Sequence, residues 1–144
     1  MRRAEIIAST LSGVAALRLV IVGPPRTKKT SNRILRFGRF NKVVPSAPFV
    51  AWQDSAVIQL RNQYRAAPIT APVAVRAIFY RDANRGDLIG YMTALADVLE
   101  RAKVIANDRQ IESWDGTRMS KSELCPRVEV VLSLADVARV LRED

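Results

Sequence analysis

The chain has 144 residues, of which 49% are hydrophobic and 26% are charged, a balance that fits one globular domain (residues 1–144) and excludes a disordered tail. The sequence contains no histidine and one cysteine, which excludes an internal disulfide, a cysteine-based metal cluster, a classical zinc site and a histidine-dependent triad. Lys and Arg number 23 against 14 Asp and Glu, and the resulting charge of +9 indicates a nucleic-acid partner or, as the alternative, a basic surface kept for solubility.

The first segment of the chain is expected to be an arm followed by a buried strand. Residues 1–16 are interpreted as a flexible or weakly helical arm, and LRLVIVG at 17–23 is typical of a strand that ends at a glycine and a proline pair. Glu5 and Arg18 interrupt the apolar stretch, so it does not fit a signal peptide, and no apolar run is long enough to span a bilayer. We therefore expect a cytoplasmic protein with no membrane partner.

The segment GPPRTKKT, residues 23–30, has the outline of a phosphate-binding loop. Lys28 stands where that loop needs a second glycine, because its amides wrap phosphate only if this residue tolerates a positive φ. We therefore expect no nucleotide cofactor. A basic loop that contacts the DNA backbone through Lys28 and Lys29 is the better interpretation, since eight basic residues and no acid lie between Arg18 and Lys42.

A hairpin, a helix and a strand are predicted next. RILRFGRFNKVV at 33–44 predicts a hairpin that turns near Gly38 or Asn41, with a cationic polar edge. Ser46 is predicted to cap a helix that runs to about Arg65. The buried stripe of that helix is expected to comprise Phe49, Trp52, Ala56, Leu60 and Tyr64. VAVRAIFY at 73–80 predicts a central strand.

A helix from Gly86 or Asp87 to about residue 102 is predicted by apolar residues that recur on one face, namely Leu88, Tyr91, Met92, Leu95, Val98, Leu99 and Ala102. Asp97 lies on the opposite face, and Asp108 follows the helix in an Asn-Asp turn. Three carboxylates in this arrangement suggest an oxygen-ligated divalent cation, Mg²⁺ or Mn²⁺, beside a polyanion. The alternatives are structural: Asp87 as a helix cap, Asp108 as a turn residue, and Asp97 as the partner of Arg101.

The end of the chain predicts a strand at 110–115, a polar loop at 116–126, a strand at 127–134 and a terminal helix at 135–144. The order of elements predicts an α+β fold, in which helices pack on one face of a mixed β-sheet to form a two-layer sandwich within a single domain.

Several of these motifs resemble the RusA-like Holliday junction resolvases of bacteria and their phages. The shared features span residues 18–134 and comprise Gly23 to Lys29, Arg85-Gly86-Asp87-Leu88, Asp97-x-Leu99, Asn107-Asp108-Arg109-Gln110-Ile111 and the closing strand Pro126 to Val130. The family pattern Asp-Leu-Asp-Asn-x-x-Lys reads Asp-Leu-Ile-Gly-Tyr-Met-Thr here, with departures at Ile89, Gly90 and Thr93. Asn107 likewise stands where the family has the first aspartate of its Asp-Asp pair. The resemblance therefore carries magnesium ligation and catalysis only to Asp87, Asp97 and Asp108.

The resemblance implies an Mg²⁺-dependent endodeoxyribonuclease, with Mn²⁺ as a possible substitute, that resolves four-way junctions in DNA recombination and repair as a homodimer. Contacts to DNA are expected from ten basic residues: Arg26, Lys28, Lys29, Arg33, Arg36, Arg39, Lys42, Arg85, Arg118 and Lys121. Two other interpretations stay open. One is a catalytically impaired junction- or DNA-binding protein of prophage origin, and the other is a single-strand or RNA-binding accessory protein.

Overall fold

Two helices pack on one face of a six-stranded mixed sheet, which confirms the predicted α+β two-layer fold. The computed structural model describes residues 6–9, 14–28, 32–38 and 40–136, and for 6–9, 14–15, 32–37 and 40–45 it describes the backbone alone. Within these ranges, no helix has the length and apolar content needed to cross a membrane.

The strands are β1 (Ile6–Ser9), β2 (Val14–Val22), β3 (Asn32–Phe37), β4 (Phe40–Pro45), β5 (Val73–Arg81), β6 (Ile111–Ser113), β7 (Arg118–Lys121) and β8 (Arg127–Leu134). The helices are α1 (Ala47–Gln63) and α2 (Leu88–Arg101), and a 3₁₀ turn covers Asp108–Gln110. The main sheet has the order β1-β2-β8-β5-β6, and β7 pairs with the other end of β5. Because β5 is antiparallel to β8 and parallel to β6 and β7, the sheet is mixed.

Most predicted elements are present close to their expected positions. The hairpin is formed by β3 and β4, which pair separately from the main sheet and turn at Gly38 with φ of 60°. Ser46 caps α1, since its hydroxyl accepts a hydrogen bond from the Phe49 amide at 3.3 Å. The strands expected at 73–80 and 127–134 are β5 and β8.

Two predictions about elements are wrong. Residues 6–9 do not belong to a helical arm but form β1, whose backbone pairs with β2 from Ile6 opposite Leu17 to Ser9 opposite Val14. The segment expected to be a polar loop contains β7, which pairs with β5 at Ile78 opposite Arg118. In both cases a partner strand supplies the hydrogen bonds that local propensity does not reveal. The terminal helix is described at 135–136 alone, so 137–144 lie outside the described residues.

The core lies between the sheet and the two helices. Alternate residues of the central strands supply one wall, including Leu19, Ile21, Val75, Phe79, Val128 and Val130, all at most 1% exposed. The opposite wall comes from Phe49, Trp52, Ala56 and Leu60 of α1 and from Tyr91, Leu95, Val98 and Leu99 of α2. These stripes confirm the predicted helix faces, although Tyr64, Leu88 and Met92 are partly buried at the margin of the core.

The open edge of β2 is covered by two glutamines of α1. Gln59 accepts a hydrogen bond from the Val22 amide at 2.8 Å and donates one to the Val22 carbonyl at 3.0 Å. Gln63 pairs in the same way with the Val20 amide and carbonyl, at 2.9 and 2.6 Å. Each carboxamide therefore replaces a residue of a neighbouring strand, and α1 is fixed against the sheet by polar contacts as well as apolar ones.

Candidate functional site

The N-terminus of α2 is capped by Asp87, as one of the structural alternatives predicted. Its side chain accepts a hydrogen bond from the Gly90 amide through Oδ1 at 2.7 Å, and Gly86 before it has φ of 82°. The other oxygen, Oδ2, receives no hydrogen bond from the described residues. Asp87 is exposed, so this second oxygen is available to a ligand while the first holds the helix start in place.

The loop after β2 packs closely on this helix start. Thr27 is 2% exposed, and a Cβ added to Gly90 would lie 3.0 Å from Thr27 Cγ2 and 2.7 Å from Asp87 Oδ1. Gly86 is equally confined, because a Cβ there would lie 2.8 Å from the Tyr91 hydroxyl. The absence of a side chain at Gly90 thus lets the loop approach, and it brings Lys28 to the same surface as Asp87.

Two side chains form hydrogen bonds with the backbone of the segment between β5 and α2. The Tyr91 hydroxyl donates a hydrogen bond to the Arg85 carbonyl, and Arg81 Nη1 donates one to the Gly86 carbonyl at 3.1 Å. Burial raises the pKa of Tyr91, whose ring stacks on Phe79 with a centroid separation of 5.2 Å. Side chains that pack in or beside the core therefore fix the backbone that leads into Asp87.

Asp97 lies nearly three turns further along α2 than Asp87 and connects the two helices. Its Oδ2 accepts hydrogen bonds from Gln53 Nε2 of α1 and from Arg101 Nε, each at 2.8 Å. The Arg101 contact is the ion pair that the structural alternative predicted. It is largely exposed and contributes at most about 1 kcal/mol, so its main effect is to orient the carboxylate.

Asp108 lies at the start of the 3₁₀ turn that follows α2. Its amide donates a hydrogen bond to Glu100 Oε1 at 2.8 Å, while Asn107 and Gln110 form a reciprocal capping box around it. The Gln110 amide group also donates to the Ile69 carbonyl at 2.7 Å. The turn is thereby anchored on both sides, and the Asp108 side chain remains exposed with no hydrogen bond from the described residues.

All three predicted acids open onto one groove of about 610 Å³. Lys28, Gln53 and Arg101 also line this groove, together with the departures from the family pattern, Ile89, Gly90 and Thr93. No three acidic or cysteine side chains in the described part of the chain converge closely enough to hold one metal ion. The groove therefore gathers the acids along its length and does not focus them on a single point.

The comparisons with known proteins add no family to this geometry. Neither a protein-family model nor a curated protein matches the chain. The RusA-like resemblance thus rests on the motifs in the sequence, and the function it implies stays a prediction.

The predicted DNA contacts have different environments. Lys28 lines the groove, and Arg85 is exposed just before α2. Arg26 is more confined, since its side chain is 15% exposed and lies 3.6 Å from Asp82. On β7, Arg118 and Lys121 are exposed, and Lys121 lies 3.3 Å from Glu123.

The remaining predicted contacts belong to the basic segment between β2 and α1. Arg33, Arg36 and Lys42 lie on the backbone of the β3-β4 hairpin, and their side chains are not described. Lys29 and Arg39 lie outside the described residues. The hairpin places its three basic positions on two adjacent strands, so one compact element carries them.

Sequence reasoning missed Gln53 and Glu100. Gln53 contacts Asp97 from 44 positions away, and the amphipathic pattern of α1 identifies its buried face without identifying its partners. Glu100 contacts the backbone of the Asp108 turn eight residues later. An acid at the end of a helix, shortly before an Asn-Asp turn, was the available signal for this contact.

Proposed function

We propose that the chain is an Mg²⁺-dependent endodeoxyribonuclease that cleaves four-way DNA junctions, acting in the cytoplasm as a homodimer. The observation that carries this proposal is the position of Asp87, Asp97 and Asp108, which line one groove together with Lys28. A groove that brings carboxylates to one surface suits metal-assisted hydrolysis of a phosphodiester, and symmetrical nicks would need two such grooves related by a twofold axis.

The donor atoms in the groove suit a hard divalent cation. Among the described residues, Asp87 and Asp97 each use one carboxylate oxygen in hydrogen bonds within the protein, which leaves the other oxygen available to a metal ion. Both carboxylate oxygens of Asp108 are available in the same sense. Mg²⁺ commonly takes one or two protein carboxylates and completes its shell with water and substrate phosphate, so three convergent acids are not required. When bound, the ion would supply charge neutralisation and a more acidic water.

The side chains of the groove have separate tasks in this proposal. Lys28 would pair with a non-bridging oxygen of the phosphodiester, because it lines the groove and comes from a loop fixed by Thr27. Asp87 would keep its orientation through the cap to the Gly90 amide, so that little reorganisation accompanies binding. Arg101 would hold Asp97 in place through the 2.8 Å contact while Asp97 Oδ1 faces the ligand.

The proposal is tested by cleavage of a labelled mobile four-way junction with Mg²⁺ or Mn²⁺. The wild-type protein is expected to make paired nicks, and Asp87→Asn and Asp108→Asn are each expected to lower the rate about 100-fold or more. Asparagine caps helices as well as aspartate does, so Asp87→Asn removes charge without removing the cap. Asp54→Asn removes an exposed acid of α1 that does not line the groove, and it should leave cleavage unchanged.

A DNA-binding protein without cleavage is the second candidate. It is favoured by Asp97, whose Oδ2 is already held by Gln53 and Arg101, and by Thr93, whose hydroxyl donates to the Ile89 carbonyl at 2.9 Å where the family pattern has a lysine. Tight binding to the junction without nicks under either metal ion would establish this candidate. Preference for the junction over linear duplex would further separate it from a single-strand or RNA-binding protein.

A further inference from the structure

A second concave site lies where α1 and α2 end. It has a volume of about 380 Å³, and we name it the basic pocket after its lining, which includes Arg61, Asn62, Tyr64, Arg65, Pro68 and Lys103. No acidic side chain lines it, and it shares no lining residue with the groove. The Tyr64 hydroxyl donates to the Ala67 carbonyl at 2.7 Å and thereby fixes one wall.

The positive charge of the basic pocket exceeds what the helix ends require. Each helix C-terminus carries about half a negative charge, and a cation nearby commonly serves to balance it. Arg61 and Lys103 together bring two full positive charges, and neither forms an ion pair within the described part of the chain. The two helix ends together carry about one negative charge, so Arg61 and Lys103 leave a surplus of about one positive charge even when Arg65 is not counted.

Lys103 occupies a backbone position that suits glycine. Its φ is 60°, and among the described residues it is the one non-glycine residue with a positive φ. The end of α2 is a Schellman motif, because the Lys103 amide donates to the Glu100 carbonyl and the Val104 amide to the Leu99 carbonyl, each at 3.0 Å. Glycine or asparagine would adopt this conformation with less strain, so a lysine here indicates a use for its charge.

The basic pocket is close enough to the groove to contact the same DNA molecule. Gln53 lines the groove and Arg61 lines the basic pocket, and eight residues of helix separate them by about 12 Å. A duplex rises about 3.4 Å per base pair, so this distance corresponds to roughly three or four base pairs. Arg101 and Lys103 connect the two sites again at the end of α2.

We propose that the basic pocket binds a backbone phosphate of the DNA arm that extends from the groove. Arg61 and Lys103 are the ligands, and they act through charge without reading bases. The proposal rests on the proposed DNA-binding function of the groove and extends it to a second contact several base pairs away. The shared chemistry is that of a phosphate group, so a free phosphate is the competing source.

The test measures junction binding by fluorescence anisotropy at several salt concentrations around 0.1 M for the wild type, Lys103→Gly and Arg61→Gln. Each variant is expected to bind about eightfold more weakly near 0.1 M salt, with the slope of log K against log salt reduced by about 0.9, as expected for one lost phosphate contact. Lys103→Gly should have an unchanged or higher melting temperature, since glycine suits this position. A weaker binder that is at least as stable cannot be explained by misfolding.

Arg76→Gln is the matched control, because Arg76 is exposed on β5 and lines neither site. Wild-type slopes in both pocket variants, or an equal loss in Arg76→Gln, would overturn the proposal. Inorganic phosphate is titrated in parallel while the Lys103 amide is followed by NMR. A phosphate-dependent shift combined with wild-type DNA slopes would assign the pocket to free phosphate and overturn the DNA contact. Absence of DNA binding in the wild type would instead refute the function proposed for the groove.

Discussion

The glutamines that cover the edge of β2 lead to a prediction about self-association. Replacing both in Gln59→Ala/Gln63→Ala removes four hydrogen bonds to the Val20 and Val22 backbone, with lengths from 2.6 to 3.0 Å. These two valines are 38% and 61% exposed. The double variant would therefore present an unpaired strand edge beside apolar side chains, which is the arrangement that templates strand addition.

The expected change in stability is small. At an exposed edge each hydrogen bond contributes about 0.5 kcal/mol, the lower end of the usual range, because water can replace the lost partner. The loss of about 2 kcal/mol is offset by about 1 kcal/mol, since two glutamine side chains recover rotamer freedom and alanine has the higher helix propensity. The net free energy of unfolding should thus fall by about 1 kcal/mol, whereas association should increase clearly.

Sedimentation velocity over a concentration series and urea denaturation test these two expectations. The double alanine variant should form species larger than those of the wild type, and Asn62→Ala, on the same helix but without contact to the strand, should not. Gln59→Glu/Gln63→Glu exposes the same edge but adds repulsive charge, so it should stay at the wild-type size. Wild-type association in the double alanine variant would refute the idea that the glutamines protect the edge.

Three further predictions concern the start of α2. Ile89→Asp should raise Mg²⁺-dependent nicking of a junction, because Ile89 lines the groove near Asp87. The change should cost little stability, since Ile89 is 75% exposed. Unchanged nicking would contradict this expectation. Gly90→Ala should lower the free energy of unfolding in urea by about 1–2 kcal/mol, because its Cβ would meet Thr27 and the capping oxygen of Asp87; wild-type stability would contradict it. Tyr91→Phe should cost about 1 kcal/mol through the lost hydroxyl bond. Burial raises the pKa of Tyr91, so above pH 10.0 the folded state keeps a proton that the unfolded state releases. The free energy of unfolding of the wild type, measured by denaturation, should therefore fall as pH rises above 10.0, and Tyr91→Phe should reduce this fall.

The fold was predictable where one segment carries its own signal. The apolar period of α2, the Asp87 cap and the Asn107-Asp108 turn all lie within one continuous stretch, and the structure confirms each of them. The failures were β1 and β7, two four-residue strands whose backbone bonds come from another strand. β7 is mostly polar and pairs with residues 40 positions earlier, so its own sequence cannot distinguish a strand from a loop.

In the candidate site, too, some features can be predicted from one segment of the sequence and others depend on distant segments. The common groove of the three acids follows from helix geometry and the short turn after the helix, so the sequence was sufficient to predict it. The contacts of Asp97 with Gln53 and of Thr27 with Gly90 join segments that are far apart in sequence. They depend on how α1 and the loop after β2 pack on α2, which no local pattern determines.

The charge of the groove bears on how many metal ions it can hold. Among the described residues that line it, three carboxylates face Lys28 and Arg101, which leaves one net negative charge. A bound phosphodiester adds a second negative charge, and one divalent cation would neutralise both. A second divalent ion would leave an excess of two positive charges in a groove whose Asp97 already shares an oxygen with Arg101. On this charge count, the Mg²⁺ site that we propose would hold one divalent ion and not two.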